Sequence, residues 1–362
     1  MALLTTTAHK GPMAMRCVRA GSGRGSGRGR GSSSSSSGRC TVVAPHSAAA
    51  TSSDQTNNGQ LMSEMKVETY VGTGHLVDDD KRFEVEYYIR SSECGVSQTI
   101  GPASLVSLLQ EAATEHAFLL WGRPEGSYPV DPTMRDANLT FVLTRLRLVV
   151  SPNPPRWGQR VAIRTWFDAE GKAGARRDWE VLDAETGEVL ASATSTWILL
   201  DMVKRRLARV PQGTRDFNAP YFFDDVARGR GGAARKVPDA KSGAECATRT
   251  VEVAWSDNDA NGHVNNARFV RWAVDAIPES PFGQVLSMVE VEFVSEAMFG
   301  EALEVCCYED VVSDGGCKDG EASDFVGVGA SRRCLSVLRK RGLSPKKNGK
   351  EVARVATEWR SE

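Results

Sequence analysis

Apolar residues recur at helical spacing once early and once late in this chain, and each helical run is followed by stretches of strand-like alternation. In the first copy, Leu105, Leu108, Leu109, Ala112 and Ala113 predict a helix over about 102–121, with Pro102 suited to its first turn. A strand over 83–90 precedes it. Strands follow over 139–150, 160–168, 174–182 and 189–200, and Asp-Ala-Glu-Thr-Gly at 183–187 reads as a hairpin turn. The order then repeats: a strand over 247–255, a helix over 265–277 ended by Pro278, and strands over 285–294, 302–310, 325–339 and 352–359.

Strand, long helix, then several antiparallel strands is the order of the hot-dog fold, in which a sheet wraps a helix. Two copies predict an α+β chain of tandem hot-dog domains that form an internal pseudo-dimer. The expected boundaries are 80–212 for the N-terminal domain, 213–245 for a linker containing Gly229–Gly232, and 246–362 for the C-terminal domain. The polar stretches 312–323 and 340–350 read as surface insertions.

Charge divides the 362 residues unevenly. Lys10, Arg16, Arg19, Arg24, Arg28, Arg30 and Arg39 precede the first acid, Asp54, and these seven cations turn a whole-chain charge of −1 into −8 for the remainder. A leader rich in Arg and Ser and free of acid has the composition of an organelle transit peptide. Residues 1–60 are therefore expected to be a disordered organelle transit peptide and linker. Its basic run is broken by glycine and carries no aromatic residue for base stacking, which argues against nucleic-acid binding. No apolar run reaches membrane-spanning length. The eight cysteines form no C-x-x-C and no zinc-type pairing with histidine, so neither a metal nor a cofactor is expected. Cys306 and Cys307, being adjacent, are expected on opposite faces of a strand.

Candidate chemistry concentrates in Trp255–Asn266, immediately before the second helix. Asn265 or Asn266 is a good N-cap, and acids suit a helix start. Capping accounts for one or two of these residues and not for the Asp259, Asn261 and His263 series, whose spacing of two places them on one side of an extended loop. The matching loop of the first copy, 91–99, lacks that triplet. Hydrolysis of an acyl bond needs a base, a positioned water and a donor for the oxyanion. A carboxylate, an amide, an imidazole and a helix N-terminus supply these. Glu296, just past the next strand, offers a second carboxylate; a solvated turn acid is the alternative. Glu290 and Glu292 are expected at the surface, and His116 as a packed structural histidine. Trp121, Trp166 and Trp179 are candidates for core or for the wall of an apolar tunnel. His75 falls in a polar linker.

These residues resemble the plant and algal acyl-ACP thioesterases. The pattern Ser-Asp-x-Asp-x-Asn-x-His-Val-Asn-Asn stands at 256–266. The resemblance continues through Leu-Leu-Gln-Glu at 108–111, Glu-Gly-x-x-Gly-Ala-Arg-Arg-Asp-Trp at 170–179, Ala-Thr-Ser-x-Trp at 193–197, Arg-Arg-Leu-x-Arg-Val at 205–210 and Thr-Glu-Trp-Arg at 357–360. It implies that the first domain shapes the acyl pocket and that the second carries Asp259, Asn261, His263 and Glu296 as catalytic residues. It implies a long-chain acyl-ACP substrate, release of free fatty acid in the plastid stroma, and acyl carrier protein as partner. Arg176, Arg177, Lys204, Arg205, Arg206 and Arg209 are candidates for docking that acidic carrier. Relatives commonly carry a cysteine directly after the glutamate, where this chain has Ala297, so a cysteine acyl-enzyme there is impossible. The competing readings are an acyl-CoA thioesterase of the same fold, a hot-dog dehydratase, for which the first helix shows no acid–base pair, and a non-catalytic acyl-carrier-binding module.

Overall fold

The repeat closes into a single antiparallel sheet. A computed structural model describes residues 74–122, 129–223, 234, 236–240, 244–260, 262–279, 281, 283–312, 331–341 and 349–361. In the first half these are β1 (His75–Val77), β2 (Arg82–Tyr88), α1 (Pro102–Trp121), α2 (Pro132–Asp136), β3 (Leu139–Val150), β4 (Arg160–Glu170), β5 (Gly174–Asp183), β6 (Val189–Asp201), β7 (Arg206–Leu207) and α3 (Gln212–Asn218). The second half adds β8 (Ala247–Glu252), α4 (Asn266–Asp275), β9 (Gln284–Phe293), β10 (Ala302–Val312), β11 (Ser331–Lys340) and β12 (Glu351–Ser361).

The strands run in the order β1-β2-β4-β5-β6-β3-β9-β12-β11-β10-β8, with β7 on β6. From the outer edge inward, β2-β4-β5-β6-β3 and β8-β10-β11-β12-β9 follow the same permutation, and β3 pairs antiparallel with β9 where the copies meet. This is the tandem hot-dog arrangement expected from the repeat. At the seam Arg147 faces Glu290 across a 2.6 Å ion pair, and Arg145 faces Glu292 at 3.6 Å. The expectation that these glutamates lie at the surface fails for Glu290, which is 5% exposed. Its burial is tolerable because a guanidinium from the other half neutralises it.

Each helix forms for legible reasons. Pro102 opens α1, and Gly122, at φ 75°, closes it in a conformation that glycine adopts freely. Leu105, Leu108, Leu109 and Ala112 are buried, and Trp179 Nε1 on β5 donates to the Leu109 carbonyl at 2.9 Å, pinning helix to sheet. On α4, Ala267, Phe269, Val270, Trp272 and Ala273 face the core, while Asn265 accepts from the Ala267 N–H at 2.9 Å as N-cap. The two helices pack against one another.

Three local expectations change. The linker beginning at 213 starts inside α3, His75 belongs to β1, and the strand expected to reach Trp255 ends at Glu252 and is followed by a 3-10 turn over Trp255–Asp257. Cys307 belongs to the apolar core and Cys306 lies on the opposite strand face, both of them buried. The leader and most of the two polar insertions lie outside the described residues.

Candidate active site

The two loops that lead into α1 and α4 share one backbone. In the first, the Gly95 N–H donates to Thr99 O at 3.0 Å, the Gln98 N–H donates to Gly95 O at 3.0 Å, and Cys94 bridges Ile100. In the second, the Asp259 N–H donates to His263 O at 2.8 Å, the Gly262 N–H donates to Asp259 O at 3.0 Å, and Asn258 bridges Val264. Gln98 and Gly262 take the same left-handed turn, at φ 60° and 75°. Even the preceding 3-10 turns correspond: Glu93 accepts from the Arg90 N–H, and Asp257 accepts from the Ala254 N–H. Asp259, Asn261 and His263 therefore stand in sequence where the first copy has Gly95, Ser97 and Thr99. One scaffold serves both copies, and only the second bears ionisable groups in the turn. Asn261 itself lies outside the described residues.

The turn places Asp259 and His263 on adjacent ends of a closed loop. His263 is 9% exposed, and that burial pushes its pKa below the ordinary histidine value; the Asp259 charge pulls it upward and the Arg205 charge downward. Glu296 follows β9 in a segment tied down on both sides. The Val294 and Ser295 N–H groups donate to Val352 O, and Ser295 Oγ donates to Glu351 O at 2.7 Å. The Val264 N–H reaches Ala297 O at 3.5 Å, which joins this segment to the loop. Burial pushes the Glu296 carboxyl up, while Arg205, Lys340 and Lys350 hold it down. Its Oε1 is buried, with no hydrogen-bond partner among the described residues, and Arg205 Nη2 stands 3.8 Å away.

Asp259, His263 and Glu296 line one cavity of about 270 Å³. Asn266, in the first turn of α4, lines it too. The cavity continues into an apolar chamber between α1 and the sheet, walled by Val106, Leu109, Ala113, Leu143, Leu146 and Trp179 and reaching Trp121. Trp166 is absent from this wall; it packs under Arg82 and against Phe223. Sequence reading left the substrate-binding residues unassigned. Gln110 is among those it missed: it lines the cavity from α1, and its Oε1 is buried with no hydrogen-bond partner among the described residues. The signal was a polar residue four positions after Val106 and three before Ala113, on the same helical stripe.

The six proposed docking cations separate. Arg177 is buried: its Nη1 lies 3.1 Å from His116 Nδ1, and its guanidinium stacks on Phe167, so it cannot belong to a docking surface. Arg176 turns to Asp178 at 2.7 Å and is 18% exposed. Lys204, Arg205, Arg206 and Arg209 are exposed in and after the β6–β7 turn. His116 is wholly buried and stacked on Phe83, as a structural histidine should be.

Comparison with known proteins follows the same two halves. The description "Acyl-ACP thioesterase N-terminal domain" matches residues 80–220, and "Acyl-ACP thioesterase C-terminal domain" matches residues 240–361. A chloroplastic palmitoyl-acyl carrier protein thioesterase of Gossypium hirsutum is 33% identical over 290 residues, covering 80% of this chain and 66% of that protein. The oleoyl-acyl carrier protein thioesterase 2 of Arabidopsis thaliana, also chloroplastic, is 28% identical, covering 79% of each. This chain thus spans about two thirds of the length of its palmitoyl-named relative. Among solved structures, the 12:0-ACP thioesterase from Umbellularia californica superposes with a TM-score of 0.65 at 27% identity, covering 79% of this chain and 96% of that one. An acyl-ACP thioesterase from Bacteroides thetaiotaomicron, 19% identical with a TM-score of 0.59, shares the fold.

Proposed function

This chain belongs to the acyl-ACP thioesterase family, and on that premise we propose that it hydrolyses the thioester of long-chain acyl-ACP to free fatty acid and carrier thiol. The observation that carries the reading is the single cavity in which Asp259, His263 and Glu296 open onto an apolar chamber. Such a chamber takes an alkyl chain, each buried methylene contributing ~0.8 kcal/mol. The first half shapes that chamber and the second supplies the chemistry.

Glu296 or Asp259 removes a proton from water as its oxygen attacks the thioester carbonyl carbon. The oxyanion forms beside the N-terminus of α4, whose dipole favours negative charge. Asn261 orients the water or the carbonyl. His263, kept neutral by burial, relays the proton. Collapse breaks the C–S bond, and the departing thiolate takes the proton. Ala297 is 2% exposed and offers no nucleophile, so water attacks directly.

Lys204, Arg205, Arg206 and Arg209 form the cationic surface for an acidic carrier protein. The acid-free leader and the chloroplastic names of the relatives support action in the plastid stroma. The test is release of free fatty acid from palmitoyl-ACP. Glu296→Gln is expected to lower kcat by about 10²–10⁴-fold with the melting temperature unchanged. Full turnover in that variant assigns the base to Asp259. No release by the unaltered chain overturns the reading.

A further inference from the structure

Arg205 belongs to the first half, yet its charge acts in the second. It ends the turn between β6 and β7, with its backbone in the left-handed region at φ 51°. The turn is built by Asp201, whose Oδ1 accepts the N–H groups of Val203 at 3.0 Å and Lys204 at 2.8 Å. Lys204 Nζ closes back on Asp201 at 3.0 Å, and strand pairing resumes at once with Asp201 opposite Arg206 and Leu200 opposite Leu207. A non-glycine residue holds a left-handed backbone only where its surroundings fix it. The fixed turn delivers Arg205 Nη2 to 3.8 Å from Glu296 Oε1, too long for a hydrogen bond and close enough for an ion pair. Glu296 Oε1 is otherwise buried with no hydrogen-bond partner among the described residues.

We propose that Arg205 is a positioning residue of the candidate active site, fixing the orientation and charge of Glu296 from the opposite half of the chain. The inference rests on the hydrolase reading for its kinetic consequence. Among the described residues, the charged groups acting on Glu296 are Arg205 from the β6–β7 turn, Lys340 from β11 and Lys350 ahead of β12, and those acting on His263 are Asp259 and Arg205. Lys340 is itself engaged by Glu301 at 2.7 Å. Among the described residues Arg205 is thus the cation common to both groups, and it favours the same state in each: an ionised carboxylate and a neutral imidazole. That is the state from which a base accepts a proton. Because the residue comes from the first half, the second half's carboxylate is completed only when the halves are joined through the β3–β9 seam.

The experiment compares Arg205→Gln, Arg205→Lys and, as a charge control on the outer face of α4, Arg271→Gln in the full chain. It reads kcat and KM on palmitoyl-ACP across pH, and the His263 titration by NMR. Arg205→Gln is expected to lower kcat roughly 10–100-fold at neutral pH, as misplaced reacting groups do. Its acid limb should move to higher pH, because both Glu296 and His263 lose the cation that favours their deprotonated forms, and the His263 midpoint should rise. Arg205→Lys should restore the limb, and Arg271→Gln should match the unaltered chain. An acid limb and a His263 midpoint unmoved in Arg205→Gln overturn the proposal, as does a loss confined to KM, which is the signature of carrier docking alone. If the unaltered chain releases no fatty acid, the hydrolase reading falls by itself. The His263 midpoint then still decides on Arg205: a rise supports it and no change overturns it.

Discussion

His116 and His263 are both withdrawn from solvent and differ in what surrounds them. His116 meets Phe83, Phe167 and the buried Arg177, and its pKa is driven well below the ordinary value, first by burial and then by the Arg177 charge. It is neutral in the folded chain and free to charge at about pH 6.5 when unfolded. The unfolded state therefore binds more protons below that pH, so the fold loses stability as pH falls through the unfolded-state value. Melting temperature should drop between pH 7 and pH 5, and His116→Phe should flatten part of that drop. An identical slope in the variant places the titration elsewhere. His263 differs because a turn carboxylate and an open cavity adjoin it. Sequence separated the two by their neighbours: His116 sits in a helical apolar stripe, His263 among polar residues at alternate positions. It did not separate Arg176 and Arg177, since only the strand's pleat decides that Arg177 turns inward with Trp179 toward α1.

Elements with their own start and stop signals were legible. The expected helix over 102–121 is the observed α1, because Pro102 and Gly122 mark its ends. The strand over 139–150 is likewise found as β3. The burial of Glu290 was not legible: β9 alternates as a half-exposed strand would, and the partner that covers it comes from β3, some 140 residues earlier in the chain. α3 was missed because its residues, Gln212–Asn218, carry no apolar stripe. The seam makes its own prediction. Glu290→Leu leaves the Arg147 guanidinium, 17% exposed, without its partner. Removing one member of a buried pair costs about 3 kcal/mol, read as a lower urea midpoint. The double variant Arg147→Met/Glu290→Leu should recover most of that loss. A single variant as stable as the parent contradicts a structural role for this pair.

At the scale of the molecule, the two copies share a scaffold and differ in the side chains it carries. Both copies keep the same strand permutation and the same loop backbone, and ionisable side chains stand in the turn 259–263 but not in its counterpart 95–99. The cavity draws its apolar wall largely from α1 and β3; Asp259, His263 and Glu296 reach it from the loop before α4 and the segment after β9, and Asp131, Asp168, Arg176 and Arg177 add charged groups from the first half. Most of the apolar wall thus lies on one half and the proposed catalytic groups on the other, joined at β3 and β9. The most direct test of this account is free-fatty-acid release by the chain from matched acyl-ACP and acyl-CoA substrates across a series of chain lengths. The account predicts turnover of long-chain acyl-ACP in clear preference to acyl-CoA of the same length. Equal or greater turnover of acyl-CoA, or binding of acyl-ACP without release, would contradict it.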